Sequence, residues 1–100
     1  MNMQDADALM RFFVKNVYIV AEMKGFQINY VERYAGVSAG YLSRILKGGK
    51  GLSFRIAILL ADAVDETITD LLTRDYSRVA VETQIGYLEK RIDELKKQLD

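Results

Sequence analysis

The chain contains neither histidine nor cysteine. That removes the commonest general base, the commonest metal ligand and any thiolate nucleophile. No metal or cofactor is expected, and an enzyme is disfavoured because no convergent carboxylate pair suggests itself. What remains is a concentration of cations. Residues 24–55 carry Lys24, Arg33, Arg44, Lys47, Lys50 and Arg55 against one acid, Glu32, a net of +5. Guanidinium and ammonium groups donate charge-assisted hydrogen bonds to phosphate, so the chemistry on offer is anion recognition.

The whole-chain figures conceal this patch, since formal charge sums to zero and the pI is about 6.3. Residues 56–73 hold Asp62, Asp65, Glu66 and Asp70 with no base, giving −4, while the first 23 residues sum to −1 and the last 27 to zero. The charge is therefore polarised along the chain rather than absent.

The cations need elements to hold them. Residues 5–24 read as a first helix, with Leu9, Phe13, Val17 and Val20 at helical spacing and Gly25 as its stop. Phe12, Val14 and Ile19 widen its apolar surface into that of a central helix. Phe26 is expected to pack in the following loop. A second helix starts at Gln27 or Asn29 and buries Val31, Tyr34 and Ala35. Gly36 follows where a helix ends in a left-handed residue, and Val37 plugs the turn. Ser38 is expected to cap a third helix whose inner face is Leu42, Ile45 and Leu46. Two short helices joined by such a turn form a helix-turn-helix, the second helix being shaped for a DNA major groove. Ser53 caps a fourth helix with Phe54, Ile58, Ala61 and Val64 as core. Thr67 caps a short fifth that contains Ile68, Leu71 and Leu72.

One hundred residues, half of them hydrophobic and 28% charged, suit one globular domain with an appendage. No run of 18 apolar residues occurs, and Met1–Asp7 has two aspartates and no base, unlike the start of a signal peptide. A cytoplasmic location is expected.

The run A-G-V-S-A-G-Y-L-S-R-I-L-K-G, followed by a further helix and then T-I-T-D-L-L, resembles the phage repressor and Cro-type (XRE) helix-turn-helix family over about residues 10–73. The resemblance implies an all-α, five-helix lambda-repressor-like domain at residues 1–73, to which residues 74–100 add an amphipathic helix. It also implies double-stranded DNA as the partner. On helix three, Ala39, Gly40, Ser43 and Arg44 would face the groove, with Tyr41 and Lys47 near the backbone. Arginine binds guanine O6 and N7 bidentately, so Arg44 is the candidate for direct readout. Ala39 would touch a thymine methyl and Gly40 would permit close approach. Ser38, Lys50 and Arg55 are candidate phosphate contacts. At the start of helix two, polar residues of the family meet a phosphate. Ile28 stands where glutamine is frequent, which shifts that role to Gln27 or Asn29. The loop Lys47-Gly48-Gly49-Lys50-Gly51 lacks the spacing of a nucleotide-binding loop and follows a helix, so it reads as a turn carrying lysines to the DNA backbone.

Two departures bear on packing. Glu32 occupies a position usually held by alanine at the crossing of helices two and three, so it is expected to bend out to solvent or widen the crossing. Ala21 and Leu46 replace an arginine–glutamate pair found in many members, and replacing both partners avoids a lone buried charge.

From about Asp75 the period changes. Val81, Ile85, Leu88, Ile92, Leu95 and Leu99 are spaced 4, 3, 4, 3, 4, an a/d heptad pattern. Isoleucine at a and leucine at d favour a two-stranded parallel coil, yet Arg91 would then face Lys96, whereas antiparallel pairing sets Glu82 near Lys96. The alternative is a sixth helix folded back on its own domain. The expectation is a homodimer formed through this helix, with an antirepressor or other regulatory protein as a further candidate partner. The function expected is a dimeric repressor reading a palindromic operator. Its rival is a helical protein–protein interaction module that uses the same fold without specific DNA binding.

Overall fold

The computed structural model describes residues 3–49 and 51–99, with side chains described at 5–49, 51–78 and 88–98. Among the described residues six helices follow in order: α1 (Met3–Lys24), α2 (Ile28–Tyr34), α3 (Tyr41–Leu46), α4 (Phe54–Ala63), α5 (Ile68–Thr73) and α6 (Tyr76–Leu99). The fold is all-α, as expected. Lys50 lies outside the described residues, as do the side chains of Val81, Ile85 and Leu99.

The first helix is the axis of the molecule. Its Phe13, Val14, Val17, Val20 and Ala21 are buried, and it packs against α2, α3, α5 and α6. Asn16 interrupts that apolar stripe, and it is buried too. Its amide donates to the Leu71 carbonyl at 2.8 Å and the Arg74 carbonyl at 2.9 Å. Those carbonyls belong to the end of α5, where no further helical turn satisfies them. Asn16 therefore ties α5 to the central helix.

Lys24 performs the equivalent task for α4. Its ammonium donates to the Val64 carbonyl at 2.7 Å and the Asp65 carbonyl at 3.1 Å, and it pairs with Glu66 at 3.0 Å. A cation at a helix C-terminus also complements the helix dipole. Ser53 and Thr67 cap α4 and α5 as expected, accepting from the backbone N–H of Ile56 at 3.1 Å and of Asp70 at 3.0 Å.

Several core expectations are corrected. In α4 the buried stripe is Ala57, Leu60, Ala61 and Val64, while Phe54 is 74% exposed and Ile58 45% exposed. This helix is apolar on most of its circumference, so helical spacing alone allows two adjacent stripes. The alanine-rich one permits the closer approach to α2 and α5. Tyr34 is 45% exposed, because its phenol donates to the Asp62 carboxylate across the α2–α4 boundary. Phe26 lies at the surface, stacked on Tyr30 with ring centroids 5.8 Å apart. Val37 is only half-buried. Leu46, the last residue of α3, is 37% exposed, so the apolar face of that helix ends at Ile45.

The sixth helix divides between the two arrangements considered. Tyr76, in its first turn, is buried in the core, so the helix is seated on the domain at its start. Residues 88–98 are exposed throughout, including Leu88, Ile92 and Leu95 at 57%, 50% and 49%.

Candidate nucleic-acid interface

The turn between α2 and α3 forms as the glycine signal requires. Gly36 has φ +76°, a conformation in which a β-carbon would be strained, and Val37 N–H closes the turn onto the Glu32 carbonyl at 3.0 Å. Leu42 and Ile45 then anchor α3 in the core beside Val31 and Ala35.

The start of α3 differs from expectation. Ser38 does not cap it. The N-cap is Gly40, which has φ +84° and no side chain to offer. The cap comes from the preceding helix: Glu32 is 1% exposed, and its carboxylate accepts the N–H of Gly40 at 3.3 Å and of Leu42 at 3.0 Å. Glu32 neither bends out to solvent nor acts as a mere spacer. It turns inward because the first N–H groups of a helix lack partners and carry partial positive charge. Its negative charge is felt on the central helix, where burial and then the Glu32 carboxylate hold the Tyr18 phenol above its ordinary pKa. Only one clue in the sequence pointed to this, an acid on the inner side of α2 ahead of a helix starting at a residue with no capping group.

The fate of Ser38 follows. Freed from capping, its hydroxyl accepts from Nη2 of Arg44 at 2.8 Å, and Nη1 of Arg44 makes a long 3.5 Å approach to the Ala39 carbonyl. Arg44 is exposed and lies back along α3 toward its N-terminus, the direction in which helical side chains tilt. Ala39 is exposed beside it, while Gly40 and Ser43 are half-buried.

The far end of α3 is closed by the glycine loop. Gly49 N–H donates to the Arg44 carbonyl at 2.8 Å, and a β-carbon on Gly49 would stand 2.7 Å from that oxygen. Tyr41 is half-buried and its phenol donates to the Gly51 carbonyl at 2.9 Å, tying the loop back to the first turn of α3. Burial raises its pKa, so this donor keeps its proton beyond the usual phenol range. Lys47 projects into solvent at the base of the loop.

The sequence-derived candidates thus fall into two groups. Ser38, Ala39, Gly40 and Arg44 form one bonded cluster at the start of α3, with Ser43 and Lys47 on the same short helix and its C-cap. Gln27, the N-cap of α2, makes no side-chain capping bond. It is exposed, as are Asn29 and Arg55 on α2 and α4, outside that cluster.

Burial also redraws the charge map. Lys24 is engaged at the end of α4 and Glu32 is internal. Among the described residues of the basic segment, Arg33, Arg44, Lys47 and Arg55 are exposed, as is Lys24, whose ammonium is paired with Glu66.

A family model described as helix-turn-helix matches residues 18–71, more than half of the chain and the whole of the α2–α3 unit. No curated protein and no solved structure matches the chain.

Proposed function

The chain belongs to the XRE-type helix-turn-helix family of DNA-binding transcription regulators, and from that premise we propose that it is a sequence-specific, dimeric repressor reading a palindromic operator with α3 in the major groove. The observation that carries this reading is the exposed Arg44, whose guanidinium is held back toward the start of a short helix by Ser38, beside a cationic rim. Arg44 reads a guanine and Ala39 meets a thymine methyl. Gly40 and Ser43 allow the backbone to come close. Lys47, Arg55, Lys50, Gln27 and Asn29 contact phosphates, and Tyr41, its O–H given to Gly51, holds the loop beside the DNA backbone. Such contacts set register and supply much of the affinity without reading sequence.

So few base contacts per monomer require a second half-site. Residues 1–73 bind DNA and residues 74–100 pair two copies, through Leu88, Ile92 and Leu95 together with Val81, Ile85 and Leu99. Support comes from the exposed apolar seam of α6, which interrupts an otherwise charged helix. Most of a helix's stability in a protein comes from packing its apolar face against a partner. Linking two half-site readers on a two-fold axis makes the second contact intramolecular.

The rival reading, a protein–protein interaction module, draws on three features, the acid at residue 32, the Ala39-Gly40 pair and the neutral total charge, and the first of them is turned inward and buried.

The test is a gel shift of the full chain on genomic fragments and on random duplex, at about 50 and 200 mM salt. DNA binding through six or more phosphates must weaken by roughly a thousandfold across that range. Binding that ignores salt overturns the proposal. Sedimentation of the Ile92→Asp chain tests the pairing: the mass should fall to that of a monomer, and an unchanged dimer would move the interface elsewhere.

A further inference from the structure

We infer that Ser38 is a positioning residue for base readout, which acts on DNA only through Arg44; the inference rests on the DNA-binding reading above. An arginine is a long side chain that loses much rotamer freedom when it docks. Here the guanidinium is already held before any ligand arrives. Nη2 donates to the Ser38 hydroxyl at 2.8 Å and Nη1 approaches the Ala39 carbonyl. The path of the guanidinium runs past Gly40. A β-carbon there would lie 3.4 Å from Nη1, and the left-handed φ of +84° disfavours any other residue.

The hydrogen-bond inventory permits this arrangement to persist on DNA. A guanidinium has five N–H donors, and the two contacts to Ser38 and Ala39 occupy at most two. A bidentate guanine contact needs two more. Ser38 can therefore brace Arg44 while it reads a base, as second partners commonly orient binding groups. This changes the role assigned to Ser38. Its hydroxyl oxygen accepts from Arg44, and on this reading the brace, not a phosphate contact through the O–H, is what DNA binding draws on, so its removal should be felt in specificity and not in general affinity.

The probe is a duplex pool with a randomised core, from which the wild-type chain enriches a preferred sequence, with random duplex as the non-specific reference. Ser38→Ala, at an exposed position, should lower affinity for the enriched sequence by roughly 2- to 10-fold, the range of one hydrogen bond. It should blur the preference at one base pair and leave random-duplex affinity and the salt slope unchanged. Ser38→Thr, which keeps the hydroxyl, should restore the preference. Equal weakening on both DNAs would make Ser38 a phosphate ligand and overturn the inference. Unchanged or tighter binding of Ser38→Ala would overturn it too, the bond to Arg44 then being idle or inhibitory. If the wild-type chain enriches no sequence and binds without salt dependence, the DNA-binding reading itself falls and takes the inference with it.

Discussion

The carboxylate of Glu32, on α2, accepts the backbone N–H of Leu42, on α3, at 3.0 Å. One helix of the pair thereby caps the other, and the angle between them is set by a charged hydrogen bond as well as by packing. Because α3 is only six residues long and begins at a glycine, it has little intrinsic stability of its own.

Glu32→Ala should therefore destabilise the domain by about 1–3 kcal/mol, the cost of losing a buried charge-assisted cap. Urea denaturation measures this, and Glu32→Gln, which keeps one acceptor oxygen, should fall between. A fully stable alanine variant would mean that the crossing closes without the cap.

Phe54→Ser should change stability by no more than about 0.5 kcal/mol, because the ring is mostly in water. Phe13→Ala, which empties a site 1% exposed in the central helix, should cost about 3–5 kcal/mol. Thermal melts of the two variants side by side provide the comparison. A large loss for Phe54→Ser would restore that residue to the core.

Gly49→Ala should cost about 1–3 kcal/mol, since the new methyl meets the Arg44 carbonyl at 2.7 Å and a backbone atom cannot swing aside. The strain falls on the loop that follows Lys47, so DNA affinity should drop as well. Wild-type melting would show that the loop shifts without penalty.

The domain should lose stability at alkaline pH. The Tyr76 phenol is pushed up first by burial, then by the Glu66 carboxylate to which it donates at 3.2 Å and by Asp70, with Arg74 opposing. A raised native pKa means that the native state holds the proton more tightly than the unfolded chain. The associated stability is complete below the unfolded value near pH 10 and is lost as pH rises through the native value. Tyr18 and Tyr41 are shifted in the same direction. Urea midpoints at pH 8 and pH 11 should differ accordingly, and Tyr76→Phe should flatten the difference without abolishing it.

Arg44→Ala should cost about 1–3 kcal/mol on the preferred sequence and relax one base pair, whereas Lys47→Ala should weaken all sequences alike and make the salt slope shallower by about one. Quantitative gel shifts on enriched and random duplex separate the two. Equal loss for Arg44→Ala on both DNAs would reduce that arginine to a phosphate contact.

Periodicity and punctuation carried much of this architecture. Gly25 and Gly36 stop helices, Ser53 and Thr67 start them, and the spacing of Phe13, Val17 and Val20 marks the central helix. These are local effects: a cap or a left-handed residue acts within a few positions of itself, so it is legible in one dimension. The surface position of Arg44 follows similarly, since Leu42 and Ile45 beside it are drawn inward.

Contacts between residues distant in sequence were settled only by the tertiary fold. Asn16 reaches across 55 residues to the Leu71 carbonyl, and Lys24 across 40 to Val64. No local pattern distinguishes those two polar side chains from solvated ones. The same is true of α4, where an almost wholly apolar helix leaves its buried stripe to be chosen by whatever packs against it. Sequence alone thus determined which segments become helices and where the cations gather. The three-dimensional packing decided which polar side chains are spent inside the protein, because a buried helix end must find a partner and the nearest one in space is rarely the nearest in sequence.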